Sequence, residues 1–160
     1  SKLLPLQLQK HAPPIVSRLE QPEILKMRES CKQELAVLNH LQDGRNRGNI
    51  AFQNRKYADA VVAYTHTMDY APAHPEYMAA LYCNRAAAQM AMGRPQKAFE
   101  DCTRSLYFKP HDNVRALLRR ARASQALGKF REAVADLEAI HVLLPAAKAS
   151  GKGQDIEPKD

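Results

Sequence analysis

The chain has 160 residues and a formal net charge of +7, enough for one domain with flanks and too little for two ordinary ones. Aromatics are only 6%, strand-favouring runs are scarce and Ala, Leu, Gln, Lys and Arg dominate, which predicts an all-α protein. No window approaches the ~18 consecutive apolar residues of a membrane span, Cys31, Cys83 and Cys102 lack the spacing of a disulfide or zinc framework, and the charge invites an anionic partner: nucleic acid, an anionic membrane or an acidic peptide.

In chain order, residues 1–22 carry Pro5, Pro13, Pro14 and Pro22 and predict an extended lead-in. Residues 23–42 place Ile24, Met27, Cys31, Leu35 and Leu38 at helical spacing, predicting an amphipathic helix that packs on the following segment or continues into it. Opening on Ser1 rather than Met, the sequence reads as a piece of a longer chain. Three helix pairs follow. First (A) helices are expected at about 43–54, 75–92 and 112–127, and second (B) helices at about 57–70, 95–108 and 130–143. The tail 146–160, with two glycines and a proline, predicts fraying or disorder.

The pairs repeat. Ala60 precedes Pro72, Ala98 precedes Pro110 and Ala133 precedes Pro145, each by 12 residues, and a ring (Tyr57, Pro95, Phe130) stands three residues before each alanine. A small residue lets two helices approach closely, and proline favours a helix end because it cannot donate within a continuing helix. This pattern resembles the tetratricopeptide repeat, whose period is about 34 residues. The resemblance implies a right-handed α-solenoid of three helix pairs, at about 43–72, 75–110 and 112–145, preceded by the N-terminal helix. No capping helix is visible after the third pair, so Val134, Leu137, Ile140 and Leu144 are expected to lie partly bare, where the natural chain continues or a second copy self-associates.

In a stacked array the A helices line the inner surface. Arg45 and Asn49 stand one turn apart on the first A helix, Asn84 lies on the second, and Arg115 and Arg119 stand one turn apart on the third; i,i+4 spacing puts each pair on one face. Three guanidinium groups and two carboxamides suit carboxylates: an arginine fork engages both oxygens, and asparagine adds N–H donors without charge. "RNRGN", "LYCNRA" and "VRALLRRA" resemble the dicarboxylate clamp of co-chaperones that bind the EEVD tails of the seventy- and ninety-kilodalton heat-shock chaperones. They are most similar to the C-terminal repeat module of DnaJ-type co-chaperones. The resemblance implies that Arg45, Asn49 and Asn84 hold the terminal carboxylate and last Asp, and that Arg115 and Arg119 hold further acidic and backbone groups. It departs in having Arg at positions 45 and 115, where Lys is common. His74-Pro75-Glu76 is read as a helix-start turn rather than a J-domain signature.

Other signals have structural readings. Arg120 and Arg122 are expected on a solvated helix face, and Tyr64, Tyr82, Tyr107 and Phe108 in packing between repeats. Arg85 is expected to pair with Glu100 or Asp101. Cys83 and Cys102 read as core residues and reduced thiols of a cytoplasmic protein. The six histidines show no ligand spacing and no nucleophile, phosphate loop or carboxylate pair is placed for chemistry. The sequence therefore predicts no metal, no cofactor and no enzyme, but a binding module for acidic peptides. Two alternatives stay open: an RNA-binding helical-repeat protein, which the charge favours, and a scaffold that binds an internal peptide segment.

Overall fold

The structure, a computed structural model, describes residues 22–70 and 74–149, with side-chain exposure described to position 143. Among the described residues all regular structure is helical: α1 Pro22–Gln53, α2 Tyr57–Tyr70, α3 Pro75–Ala91, α4 Pro95–Phe108, α5 Val114–Ala126 and α6 Phe130–Ala149. The lead-in, Pro72 and residues 150–160 lie outside the described residues. No described helix is long and apolar enough to cross a membrane.

The chain divides into two units, one ending at Asn39 and the other beginning at His40. In the first, the expected N-terminal helix is not a separate element but the opening half of α1, which begins at Pro22. Its apolar side chains Ile24, Leu25, Met27 and Leu35 are exposed, and Lys32 and Glu29 approach to 3.8 Å at a solvated surface.

In the second unit the helices pack in sequence, α2 against α3, α3 against α4, α4 against α5 and α5 against α6, with α3 also meeting α5. The landmark alanines explain the close approach: Ala60 and Ala98 are fully buried and Ala133 nearly so. Tyr64, Met68, Met78, Leu81 and Ala88 form one core cluster with Ala60, and Ala86, Ala98, Cys102 and Ala123 a second. The A-to-B turns repeat too. At Arg55, Gly93 and Gly128 the backbone turns left-handed, with φ of 59°, 69° and 72°, and the next residue donates to a carbonyl five positions back: Lys56 to Ala51, Arg94 to Gln89 and Lys129 to Ser124. This bond closes a helix by satisfying one of its last carbonyls, and the left-handed residue is the one where glycine carries no Cβ penalty. Helix starts use proline, at Pro75 and Pro95, or a cap, Asn113, whose side-chain oxygen accepts from the Ala116 N–H at 3.3 Å.

Three local expectations are corrected. Helix α6 runs through Pro145 to Ala149; proline lacks an N–H, so it removes a helical hydrogen bond without ending the helix. Tyr107 is 82% exposed, because it stands beside Phe108, and only Phe108 faces inward, stacking on Tyr82 at a centroid distance of 5.8 Å. Arg120 is not a solvated charge but belongs to an interhelical ion pair described below. At the C-terminal pair, Val134 and Leu137 are exposed along a groove of about 380 Å³ lined also by Leu118, Ala121 and Phe130.

Candidate functional site

The five predicted residues come from three helices: Arg45 and Asn49 from α1, Asn84 from α3, and Arg115 and Arg119 from α5. Asn49, Asn84 and Arg119 fall 35 residues apart, so each occupies the same place in its repeat.

The centre of the site is the Asn49 carboxamide. Its Oδ1 accepts from the Tyr64 hydroxyl at 2.8 Å and from Asn84 Nδ2 at 3.2 Å, which ties α1, α2 and α3 together at one oxygen. Sequence determines this closeness through Gly48: a Cβ there would fall on the Tyr64 ring, and one at Gly44 would fall on Thr67. The missing side chains let α2 lie against α1. Arg45 donates through Nη2 to Gln42 Oε1 at 2.9 Å and its guanidinium lies 5.6 Å from the Tyr77 ring centroid, a cation–π distance; no carboxylate among the described residues takes its remaining N–H groups.

Arg119 donates through Nη1 to the Cys83 carbonyl at 2.8 Å and contacts Cys83 Sγ at 3.0 Å. No carboxylate holds it among the described residues, so its charge is anchored by a neutral carbonyl and stays uncompensated. Burial pushes the Tyr64 hydroxyl up to about 12, against the opposing fields of Arg119 and Arg45. Asn49, Asn84 and Tyr64 thus form one hydrogen-bonded cluster, and the fields of both arginines reach its hydroxyl. Arg115 stands apart. It is exposed, one turn before Arg119, and makes no hydrogen bond or ion pair among the described residues. His74 and Pro75 open α3 as its N-cap and first residue, a helix start as expected.

No family model matches the chain. A solved structure of the second TPR of Spaghetti (RPAP3) bound to HSP90 peptide SRMEEVD superposes with a TM-score of 0.61 at 31% identity, covering 68% of this chain and 97% of that one. The chain belongs to the tetratricopeptide-repeat family. The TPR2B domain of yeast Sti1, in its pHsp70 complex, has a TM-score of 0.62 at 28% identity over 71% of this chain and 86% of that chain. The DnaJ homolog subfamily C member 7 homolog of Schizosaccharomyces pombe is 32% identical over 119 residues, 72% of this chain and 25% of its own length. The TPR chain spans a quarter or less of the length of such curated relatives.

Beside the site, the TPR stack carries two matching ion pairs. Arg85 of α3 donates through Nε and Nη2 to Asp101 of α4 at 2.9 and 2.7 Å, and through Nη1 to Thr65 of α2 at 2.9 Å. Arg120 of α5 does the same with Asp136 of α6, at 2.9 and 2.6 Å, and reaches Thr103 of α4 at 3.5 Å. Asp101, one of the two partners expected for Arg85, is thus the one it takes. Both aspartates are buried. Burial disfavours the Arg85 charge, yet the Asp101 hydrogen bond and charge outweigh it and hold the guanidinium above its ordinary range; for Arg120 the Asp136 bond leads. In the first pair Ile50 occupies the arginine position and is exposed. These arginines are internally satisfied, which separates them from Arg45, Arg115 and Arg119.

Tyr64 was legible only as a core ring. Its signal was the hydroxyl: the residues at its place in the other pairs, Cys102 and Leu137, are not aromatic alcohols. Among the described residues no group of three or more His, Cys, Asp or Glu is placed to hold a metal.

Proposed function

We propose that this TPR domain binds the acidic, free carboxyl terminus of heat-shock chaperones of the seventy- and ninety-kilodalton classes, ending in an EEVD-type sequence, and acts as a non-enzymatic interaction module in the cytoplasm. Arg45, Asn49, Asn84, Arg115 and Arg119 hold the carboxylates. The observation that carries the reading is the hydrogen-bonded cluster of Asn49, Asn84 and Tyr64 within the field of Arg45 and Arg119, two arginines without a carboxylate partner among the described residues, while Arg85 and Arg120 are paired. An anionic guest supplies the missing counter-charge. Charge-assisted hydrogen bonds contribute about 1.5–3 kcal/mol each, and a few of them, less ordering costs, give affinities of roughly micromolar order. The binding of SRMEEVD by the RPAP3 domain and the pHsp70 complex of Sti1 TPR2B support the same class of guest.

The test is a titration of a labelled peptide ending in MEEVD against the same peptide with an amidated C-terminus. The free acid is expected to bind at least tenfold more tightly, since the amide removes a charge from a donor-lined site. Equal affinity for both supports a scaffold that takes an internal segment, and no peptide binding with salt-steep oligonucleotide binding supports the nucleic-acid reading.

A further inference from the structure

We propose that Tyr64 is a positioning residue for the carboxylate site, fixing the Asn49 carboxamide so that its NH2, and not its carbonyl, faces the guest. The inference rests on the carboxylate-binding reading above and adds the group that decides which polarity the site displays.

A carboxamide presents either two donors or two acceptor lone pairs in a given direction, and rotation by a half turn exchanges them. Asn49 and Asn84 alone leave that choice open. With Asn49 Oδ1 turned inward, Asn84 donates to it, as observed; if both amides turned over, Asn49 would donate to Asn84 and the same bond would form in reverse. Tyr64 breaks the tie. Its ring is 2% exposed, packed where a Gly48 Cβ would otherwise stand, and its hydroxyl makes one hydrogen bond among the described residues, to Asn49 Oδ1 at 2.8 Å. Turned over, Asn49 would offer the hydroxyl only N–H groups, and the buried phenolic hydrogen would lose its acceptor, a cost large enough to set an orientation. The hydroxyl remains a proton donor throughout the physiological range because burial holds its proton firmly.

Both Asn49 lone pairs are thereby consumed inside the protein, and Asn49 Nδ2 makes no hydrogen bond among the described residues. At Asn49 the site therefore turns N–H donors to the guest. A carboxylate fits; a terminal amide, which brings its own NH2, meets a donor opposite a donor.

Tyr64→Phe separates this role from a structural one, because it predicts a gain. Without the hydroxyl the two amide orientations become about equally populated, so the free-acid MEEVD peptide loses only about twofold in affinity. The amidated peptide can now select the carbonyl-out form and tightens about fivefold or more, the factor by which the orphaned hydroxyl formerly opposed it. The acid-to-amide preference therefore narrows about tenfold. A parallel loss of both affinities, or no change in either, overturns the proposal. Should Tyr64→Phe not fold, the wild-type protein still answers: weak nuclear Overhauser effects between the Tyr64 ring protons and the Asn49 carboxamide protons are expected with the NH2 turned away, and strong ones overturn it. Wild-type protein that does not distinguish acid from amide defeats the carboxylate reading itself, and this proposal with it, before any variant is made.

Discussion

Replacing Asp101 by alanine tests the energetic claim about the repeated ion pairs most directly. The pair is bidentate, at 2.9 and 2.7 Å, with the Asp side chain 7% and the Arg side chain 20% exposed. Removing the carboxylate leaves Arg85 with Thr65 Oγ1 and the face of Tyr82, 5.2 Å away, and with only the weaker field of Asp69 as counter-charge. Breaking a buried pair from one side costs about 3–5 kcal/mol; the partial exposure of Arg85 lets water return to one edge, which places the value near the lower end, about 3 kcal/mol. At about 2–4 °C per kcal/mol for a protein of this size, Tm falls by about 6–12 °C. Urea denaturation of the wild type, Asp101→Ala, Arg85→Met and the double variant closes a thermodynamic cycle. The double variant is expected to be more stable than Asp101→Ala, because it removes the stranded cation. A loss under about 1 kcal/mol for Asp101→Ala, or additive single effects, would refute the reasoning and put the pair among solvated surface contacts.

Gly93→Ala is expected to cost about 1–2 kcal/mol in urea unfolding through backbone strain alone, since φ is 69° and no atom stands within 4 Å of an added Cβ; the converse change, Arg55→Gly, relieves about 1–2 kcal/mol of strain against about 0.5–1 kcal/mol of added chain entropy and is expected to stabilise by about 0.5–1 kcal/mol. Gly48→Ala drives a Cβ into the Tyr64 ring and is expected to cost about 1–3 kcal/mol and to weaken peptide binding, whereas Arg115→Ala, at an exposed position, should weaken binding without shifting the urea midpoint. Raising pH destabilises the fold: burial pushes Cys102 and Tyr64 up to about 12, so both stay protonated in the folded state while the unfolded groups ionise nearer 8.5 and 10. Their contribution is full below the unfolded values and is lost as pH climbs toward 12, which unfolding curves taken from pH 8 upward will show. Thiol labelling at pH 8 is expected to modify Cys31 quickly and to spare buried Cys83 and Cys102 until denaturant is added.

Sequence by itself determined the helices, the close-packing alanines and the i,i+4 pairing of Arg45 with Asn49 and of Arg115 with Arg119, because these are properties of residues near one another along the chain. Propensity, turn chemistry and period act locally. It also bounded the partner of Arg85 to two candidates within one helix turn. Which arginines are spent and which are spare was decided only in three dimensions, since Arg85, Arg119 and Arg120 look alike along the chain, yet Asp101 and Asp136 meet two of them and a neutral carbonyl meets the third. The Tyr64 hydroxyl is the same case. Hydrophobic pattern assigns its ring to the core, but the atom that ring delivers to Asn49, 15 residues away, depends on how closely two helices approach. That distance follows from the bare backbone at Gly48, a contact no single helix contains.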